Sequence, residues 1–325
     1  MKVRLKGGSL SGTYLIKEDN KQYVRKEISL KENREYGFQR WYSQLKRIQR
    51  YSVLFPKLFP KLLGYGIIKS EDKAYFDIEY IDNSYNGFDF LCNTTSKTKI
   101  DKFIKTLKRS MDEMYKMKMT SDSNSIGLYI REEVNQRLLD CNHNKNFKKF
   151  LEYKEIVFNN EIIPSLIYKL EEYKTLASNN YINPIETFTH GNLTLENIVY
   201  SPDTDEVYFI DPYEENIIDS PLAEYSQLLQ SSNSLYELYN QSTPIVSGNQ
   251  VKIDVKIPEG LSYFNTKLNE IIDSNFNNKD IKIIKILEIS QFIRMLPFKA
   301  IVDENKMVFF YSLASKLLND LLKYE

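Results

Sequence analysis

Short apolar runs separated by turn residues open the chain. In KVRLKGGSLSGTYLIKEDNKQYVRKEISL the breaks are Gly-Gly, Ser-Gly and Asp-Asn, which predicts a β-hairpin. From Lys31 the period lengthens: Phe38, Trp41, Tyr42 and Leu45 recur at the i, i+3, i+4, i+7 spacing of one helix face. Prolines in FPKLFPKLLGYGII then interrupt the helix and lead into a strand, AYFDIEYI, followed by a hinge-like DNSYNG. A lobe boundary is expected there, with residues 1–82 on one side and 83–325 on the other. Beyond it, Ile100, Phe103, Ile104, Leu107, Met111, Met114 and Tyr115 form a second amphipathic stripe, and helical signals return near 146–157 and 161–177. NIVYSPDTDEVYFID has two apolar runs around a polar turn and predicts a hairpin; 262–325 reads as about three helices. VKIDVKI at 251–257 reads as a short strand with no assignable neighbour. The sum is an α+β chain, a small antiparallel-sheet lobe with one helix followed by a larger, mostly helical lobe.

Composition removes several function classes. At 325 residues the chain is long enough for one large domain or two lobes sharing a cleft. Lys plus Arg equals Asp plus Glu at 44 each, so the basic excess of a nucleic-acid binder is missing. No segment reaches the apolar length of a membrane span and the start lacks a continuous apolar core, so a soluble, cytoplasmic protein is expected. Cys92 and Cys141 lie far apart, and with only His143 and His190 a histidine-based metal centre lacks ligands. Any metal should be held by oxygen.

HGNLTLENIVY, followed after the hairpin turn by VYFIDP, is the most informative segment. If Ile198–Tyr200 pairs antiparallel with Val207–Ile210, Asn197 and Asp211 become neighbours at the open end of the ladder. A carboxylate beside a carboxamide suits Mg²⁺, which takes one or two protein oxygens and completes its shell with phosphate and water. Either residue alone reads more readily as a turn or strand-end residue making backbone hydrogen bonds. Taken with His190 and Gly191, the string resembles the catalytic loop and metal-binding strand of the protein-kinase-like small-molecule phosphotransferases, among them the aminoglycoside phosphotransferases and choline or ethanolamine kinases. Those carry H-G-D-x-x-x-x-N and then I-D; here the string is His190-Gly191-Asn192-Leu193-Thr194-Leu195-Glu196-Asn197 and then Ile210-Asp211.

The resemblance implies a bilobal kinase-like fold whose first lobe holds nucleotide phosphates with a glycine-rich turn, a strand lysine and a helix glutamate. Candidates occur in that order. Gly7, Gly8, Ser9, Ser11 and Gly12 lie in the first hairpin turn, where bare backbone lets phosphate approach, although such a turn is by itself usually only a turn. In YVRKEI, Lys26 shares a strand face with Val24 and Ile28 and needs an anion there; the plain alternative is a lysine that snorkels to solvent beside a glutamate on a solvated edge. Glu35 is its expected partner, read as lying on the stripe with Phe38, Tyr42 and Leu45; of the competing acids, Glu27 alternates to the opposite strand face and Glu32 aligns less well with the stripe. Backbone near Glu79, Tyr80 and Ile81 would meet the purine. The resemblance further implies Mg²⁺ on Asn197 and Asp211, ATP as nucleotide with GTP left open, a small-molecule hydroxyl acceptor, and a bracing role for His190. DSPLAEYSQLLQSS is similar to a stretch in the branch associated with bacterial surface-polysaccharide synthesis, which suggests a sugar or polyol acceptor. Tyr213, Glu214 and Arg294 are acceptor-site guesses from position and polarity alone.

Asn192 is the departure. The family has an aspartate there, which takes the acceptor proton, and asparagine is a poor base. An engineered replacement, a natural loss of the base, or service by another acid such as Glu196 or Glu214 each accord with this letter. Two functions follow: a kinase impaired at its base, or an inactive nucleotide-binding regulatory module.

Overall fold

The computed structural model describes residues 1–5, 11–18, 21–31, 34–119, 124–182, 185–213 and 216–323. They form two compact units, the first comprising Met1–Phe90, Lys102–Met114 and His190–Asn216, the second Leu91–Asp101, Tyr115–Thr189 and Ile217–Glu325.

The first unit is built on an antiparallel sheet of β1 (Lys2–Arg4), β2 (Ser11–Glu18), β3 (Lys21–Ser29), β4 (Leu62–Ile68) and β5 (Lys73–Glu79), ordered β1-β2-β3-β5-β4. Strand alternation sends Ile28, Ala74 and Phe76 to one face, where helix α1 (Arg34–Leu54) covers them with Trp41, Leu45 and Ile48. The expected strand over AYFDIEYI is β5, and the preceding LLGYGII, read only as an approach to it, is the edge strand β4. Pro56 fixes the end of α1, because the residue before a proline is disfavoured in the helical region. Phe55, Leu58 and Phe59 are buried just beyond it, with Tyr51 and Phe59 edge to face at 5.1 Å.

The period of α1 is as expected, and of the expected stripe Trp41 and Leu45 are buried whereas Phe38 and Tyr42 are not. Phe38 and Tyr42 are 39% and 43% exposed and stack on each other, whereas Trp41 and Leu45 are 6% and 3% exposed. The buried stripe runs through Gly37, Trp41, Gln44, Leu45, Ile48 and Tyr51.

The predicted hairpin is present, with Ile198↔Phe209, Val199↔Tyr208 and Tyr200↔Val207 as partners. Tyr85–Asn86 adds a third strand. The stripe at 100–115 is the helix Lys97–Met114.

The second unit is mainly helical, including Leu170–Asn180, Pro221–Ser232, Glu259–Asn275, Asn278–Arg294 and Glu304–Lys323. A short helix, Leu296–Val302, makes the carboxy-terminal stretch four helices rather than three. The helical reading of 146–157 and 161–177 is corrected at their junction: Glu155–Phe158 and Glu161–Pro164 are strands of a hairpin. Asn159 and Asn160 both have positive φ, 44° and 71°, the geometry of a tight two-residue turn between right-twisted strands. The unplaced VKIDVKI segment starts in this sheet, with Gln250–Lys252 pairing parallel to Glu155–Phe158.

Candidate active site

The loop after His190 is held by bonds that explain its sequence letter by letter. His190 is fully buried, and its Nε2 lies 2.7 Å from the carbonyl of Ile210. A carbonyl only accepts, so Nε2 carries the proton and Nδ1 accepts from the backbone N–H of Asn192 at 3.3 Å. One imidazole thus ties the start of the loop to the residue before Asp211. Its backbone carbonyl also accepts from Tyr213 N–H at 2.9 Å, so Asp211 is bracketed on both sides. Burial holds the imidazole pKa down at about 4, with the nearby Arg47 guanidinium pushing the same way, so the ring is neutral at physiological pH. Phe59 stacks on it at 6.2 Å and Phe209 packs at 5.9 Å.

Gly191 has φ +82°, and a Cβ there would come within 2.0 Å of Asn216 Nδ2 and 2.6 Å of the Tyr213 carbonyl. Only glycine fits.

The ladder then does what the spacing predicts. Ile210 N–H donates to the Asn197 carbonyl at 3.0 Å, which brings Asn197 beside Asp211. Asn197 Nδ2 donates to the Asn192 carbonyl at 2.8 Å, which turns its Oδ1 away from that bond and leaves an oxygen donor. Asp211 sits at φ +57°, a left-handed conformation that aspartate tolerates better than most side chains, at a typical cost of about 1–2 kcal/mol. One carboxylate and one carboxamide oxygen fit a hard divalent cation that takes its remaining ligands from phosphate and water. Asn192 itself is exposed.

Lys26 projects from β3 on the inner face, opposite Phe76, and is 6% exposed. Its Nζ is 2.7 Å from Asp211 Oδ1. Glu35, the expected partner, is exposed in the first turn of α1. At 3.6 residues per turn it points roughly 160° away from Gly37, at the centre of the buried stripe. Glu35 shares the side of α1 that carries Phe38 and Tyr42, and that side faces solvent. Glu27 does lie on the other strand face, paired with Lys2 at 2.5 Å and Lys73 at 3.1 Å. Among the described residues the buried polar side chains of α1 include Gln44 and Arg47, and Gln44 Oε1 has no hydrogen-bond partner among them. Sequence reasoning missed both; phasing on Trp41, Leu45 and Ile48 finds them.

Of the glycine-rich turn, Gly7, Gly8 and Ser9 lie outside the described residues, while Ser11 and Gly12 begin β2. Glu79 ends β5 and donates its N–H to the Lys61 carbonyl at 2.9 Å. Tyr80 and Ile81 follow, half-buried, with the Ile81 carbonyl accepting from Ser84 Oγ at 2.7 Å. Tyr213 is half-exposed, Glu214 is outside the described residues, and Arg294 belongs to the second unit, where it pairs with Glu133 at 2.9 Å.

No family model matches the sequence, and no curated protein matches it. Solved structures do. The GDP complex of a wild-type aminoglycoside 2′-phosphotransferase superposes with a TM-score of 0.59 at 14% identity, over 100% of this chain and 93% of that one. A thermostable mutant of another aminoglycoside phosphotransferase, in ternary complex with ADP and hygromycin B, gives 0.55 at 10% identity over 98% and 93%. A glucosamine kinase gives 0.52 at 13% identity over 86% and 71%. The chain has the protein-kinase-like fold. At these identities the likeness speaks to fold, and the chemistry rests on the residues described above. Within the kinase-like fold Lys26, Asn192, Asn197 and Asp211 all belong to the first compact unit. Among the described residues no helix is long and apolar enough to cross a membrane.

Proposed function

We propose that the protein is a nucleotide-dependent phosphotransferase acting on a hydroxyl of a small molecule, with ATP as donor and GTP as the alternative. The observation that carries this reading is the convergence of the Lys26 ammonium, the Asp211 carboxylate and the Asn197 amide oxygen beside the Asn192 loop. In this reading the lobe of residues 1–82 contributes the glycine turn, Lys26 and the purine-facing backbone of Glu79, Tyr80 and Ile81. The lobe of 83–325 contributes the loop and the hairpin. Lys26 binds phosphate oxygens, and Asp211 and Asn197 hold Mg²⁺, which when bound neutralises phosphate charge and fixes its orientation. His190 keeps the loop in register through its two ring bonds. The solved neighbours named for aminoglycosides and glucosamine favour an amino-sugar, sugar or polyol acceptor; a surface-polysaccharide building block is the narrower expectation from DSPLAEYSQLLQSS.

In this scheme the exposed Asn192 contacts the acceptor and orients its hydroxyl without taking its proton. Phosphoryl transfer depends mainly on alignment and charge neutralisation, so the loss is the general-base contribution, about 10²–10⁴ in rate. The same residue favours a second reading, a regulatory module that binds nucleotide without turnover. Phosphate release from ATP, alone and with a panel of sugars, polyols and amino alcohols, should rise by about 10²-fold or more in Asn192→Asp. Nucleotide binding with no turnover in either form would favour the regulatory module.

A further inference from the structure

Lys26 is a buried ammonium, and a buried charge needs a counterion. The kinase-like arrangement would draw that counterion from α1, but Glu35 is the one acidic residue in α1 and faces solvent. Glu27 lies on the other face of β3 and already serves Lys2 and Lys73. Among the described residues Asp211 is therefore the carboxylate that compensates Lys26, at 2.7 Å. It is also the carboxylate that the proposed cation requires. A divalent ion and an ammonium drawn to one carboxylate repel each other, and a metal that displaced Lys26 would strand it inside the protein without an anion.

Building on the phosphotransferase reading, we propose that the Lys26–Asp211 pair is a latch that makes metal binding depend on nucleotide. In the free protein the ammonium holds the metal's carboxylate. Nucleotide phosphates supply Lys26 with a new counterion and release Asp211 to the cation. The coupling is reciprocal, so metal strengthens nucleotide binding by the same factor. The outward phase of Glu35 is what leaves Lys26 to Asp211.

Protein-bound Mn²⁺, measured by electron paramagnetic resonance with and without ADP, tests this in the wild type, Lys26→Met and Asp211→Asn. The wild type should bind Mn²⁺ weakly alone and at least about tenfold more tightly with ADP. Lys26→Met should gain Mn²⁺ affinity in the absence of ADP by a similar factor, whereas a lysine with a purely structural role would give equal or weaker binding when removed. Asp211→Asn should lose tight binding in both conditions. Equal Mn²⁺ affinity of the wild type with and without ADP, or no gain in Lys26→Met, overturns the latch while leaving the phosphotransferase reading intact. Absence of any wild-type complex with ADP and Mn²⁺ together sinks both. Should Lys26→Met not fold, Lys26→Gln and the wild-type comparison decide.

Discussion

The two halves of the site are built by different rules. In the half made by His190–Asn197 and Asp211, each position is set by backbone hydrogen bonds that count residues: Ile198 opposite Phe209 makes Asn197 the neighbour of Ile210. In the half made by β3 and α1, position is set by how the helix is rotated against the sheet. A change of one residue in phase turns a side chain by about 100°, enough to move a carboxylate from interior to solvent. Glu35 went that way, and Lys26 took Asp211 instead.

Substitutions can break or sharpen this contrast. Trp41→Ala removes the largest side chain of the buried α1 stripe, together with its indole donation to the Tyr75 carbonyl, and should cost about 3–5 kcal/mol in urea unfolding. A cost below 1 kcal/mol would contradict the phase of α1 described here. In the loop half, Gly191→Ala meets both a left-handed backbone and two atoms closer than any Cβ tolerates. About 3 kcal/mol of lost stability is expected, with binding of nucleotide weakened as the bracket around Asp211 opens.

His190 gives the same half a pH signature. Its imidazole stays neutral down to about 4 in the folded protein, whereas the unfolded chain protonates it near 6.5. The unfolded state thus binds the extra proton in that window. The contribution, roughly 3 kcal/mol, is present in full above pH 6.5, falls as pH drops and is gone below about 4. Stability measured between pH 7 and 4.5 should fall less steeply in His190→Asn than in the wild type, and parallel slopes would rule this out. The smallest effect is expected for Glu35→Ala, within about 0.5 kcal/mol in stability and twofold in nucleotide affinity, as suits an exposed side chain. A tenfold loss of affinity would restore the lysine–glutamate pairing.

The same division marks what was legible in the residues. The hairpin at 198–209 and the Asn197–Asp211 adjacency follow from strand period and a short turn, both local. The α1 helix is equally plain in its period, yet Phe38 and Tyr42 are as apolar as Trp41 and Leu45, and composition gives no reason to prefer one stripe. Only packing on Ile28, Ala74 and Phe76 selects it. In the second unit EIVFNNEIIP carries its own signal, β-branched runs around Asn-Asn, which a helical reading overlooks. Gln250–Lys252 has a local hairpin partner in Ile245–Ser247, but its other neighbour, Glu155–Phe158, lies about ninety residues earlier in the chain, a distance no local pattern spans.

The most direct test of the central claim is isothermal titration of wild type and Asp211→Asn with ATP and GTP, each with and without Mg²⁺. Binding that requires Mg²⁺ and weakens at least about tenfold in Asp211→Asn is the predicted result. No binding of either nucleotide, or binding indifferent to both Mg²⁺ and Asp211, would contradict it.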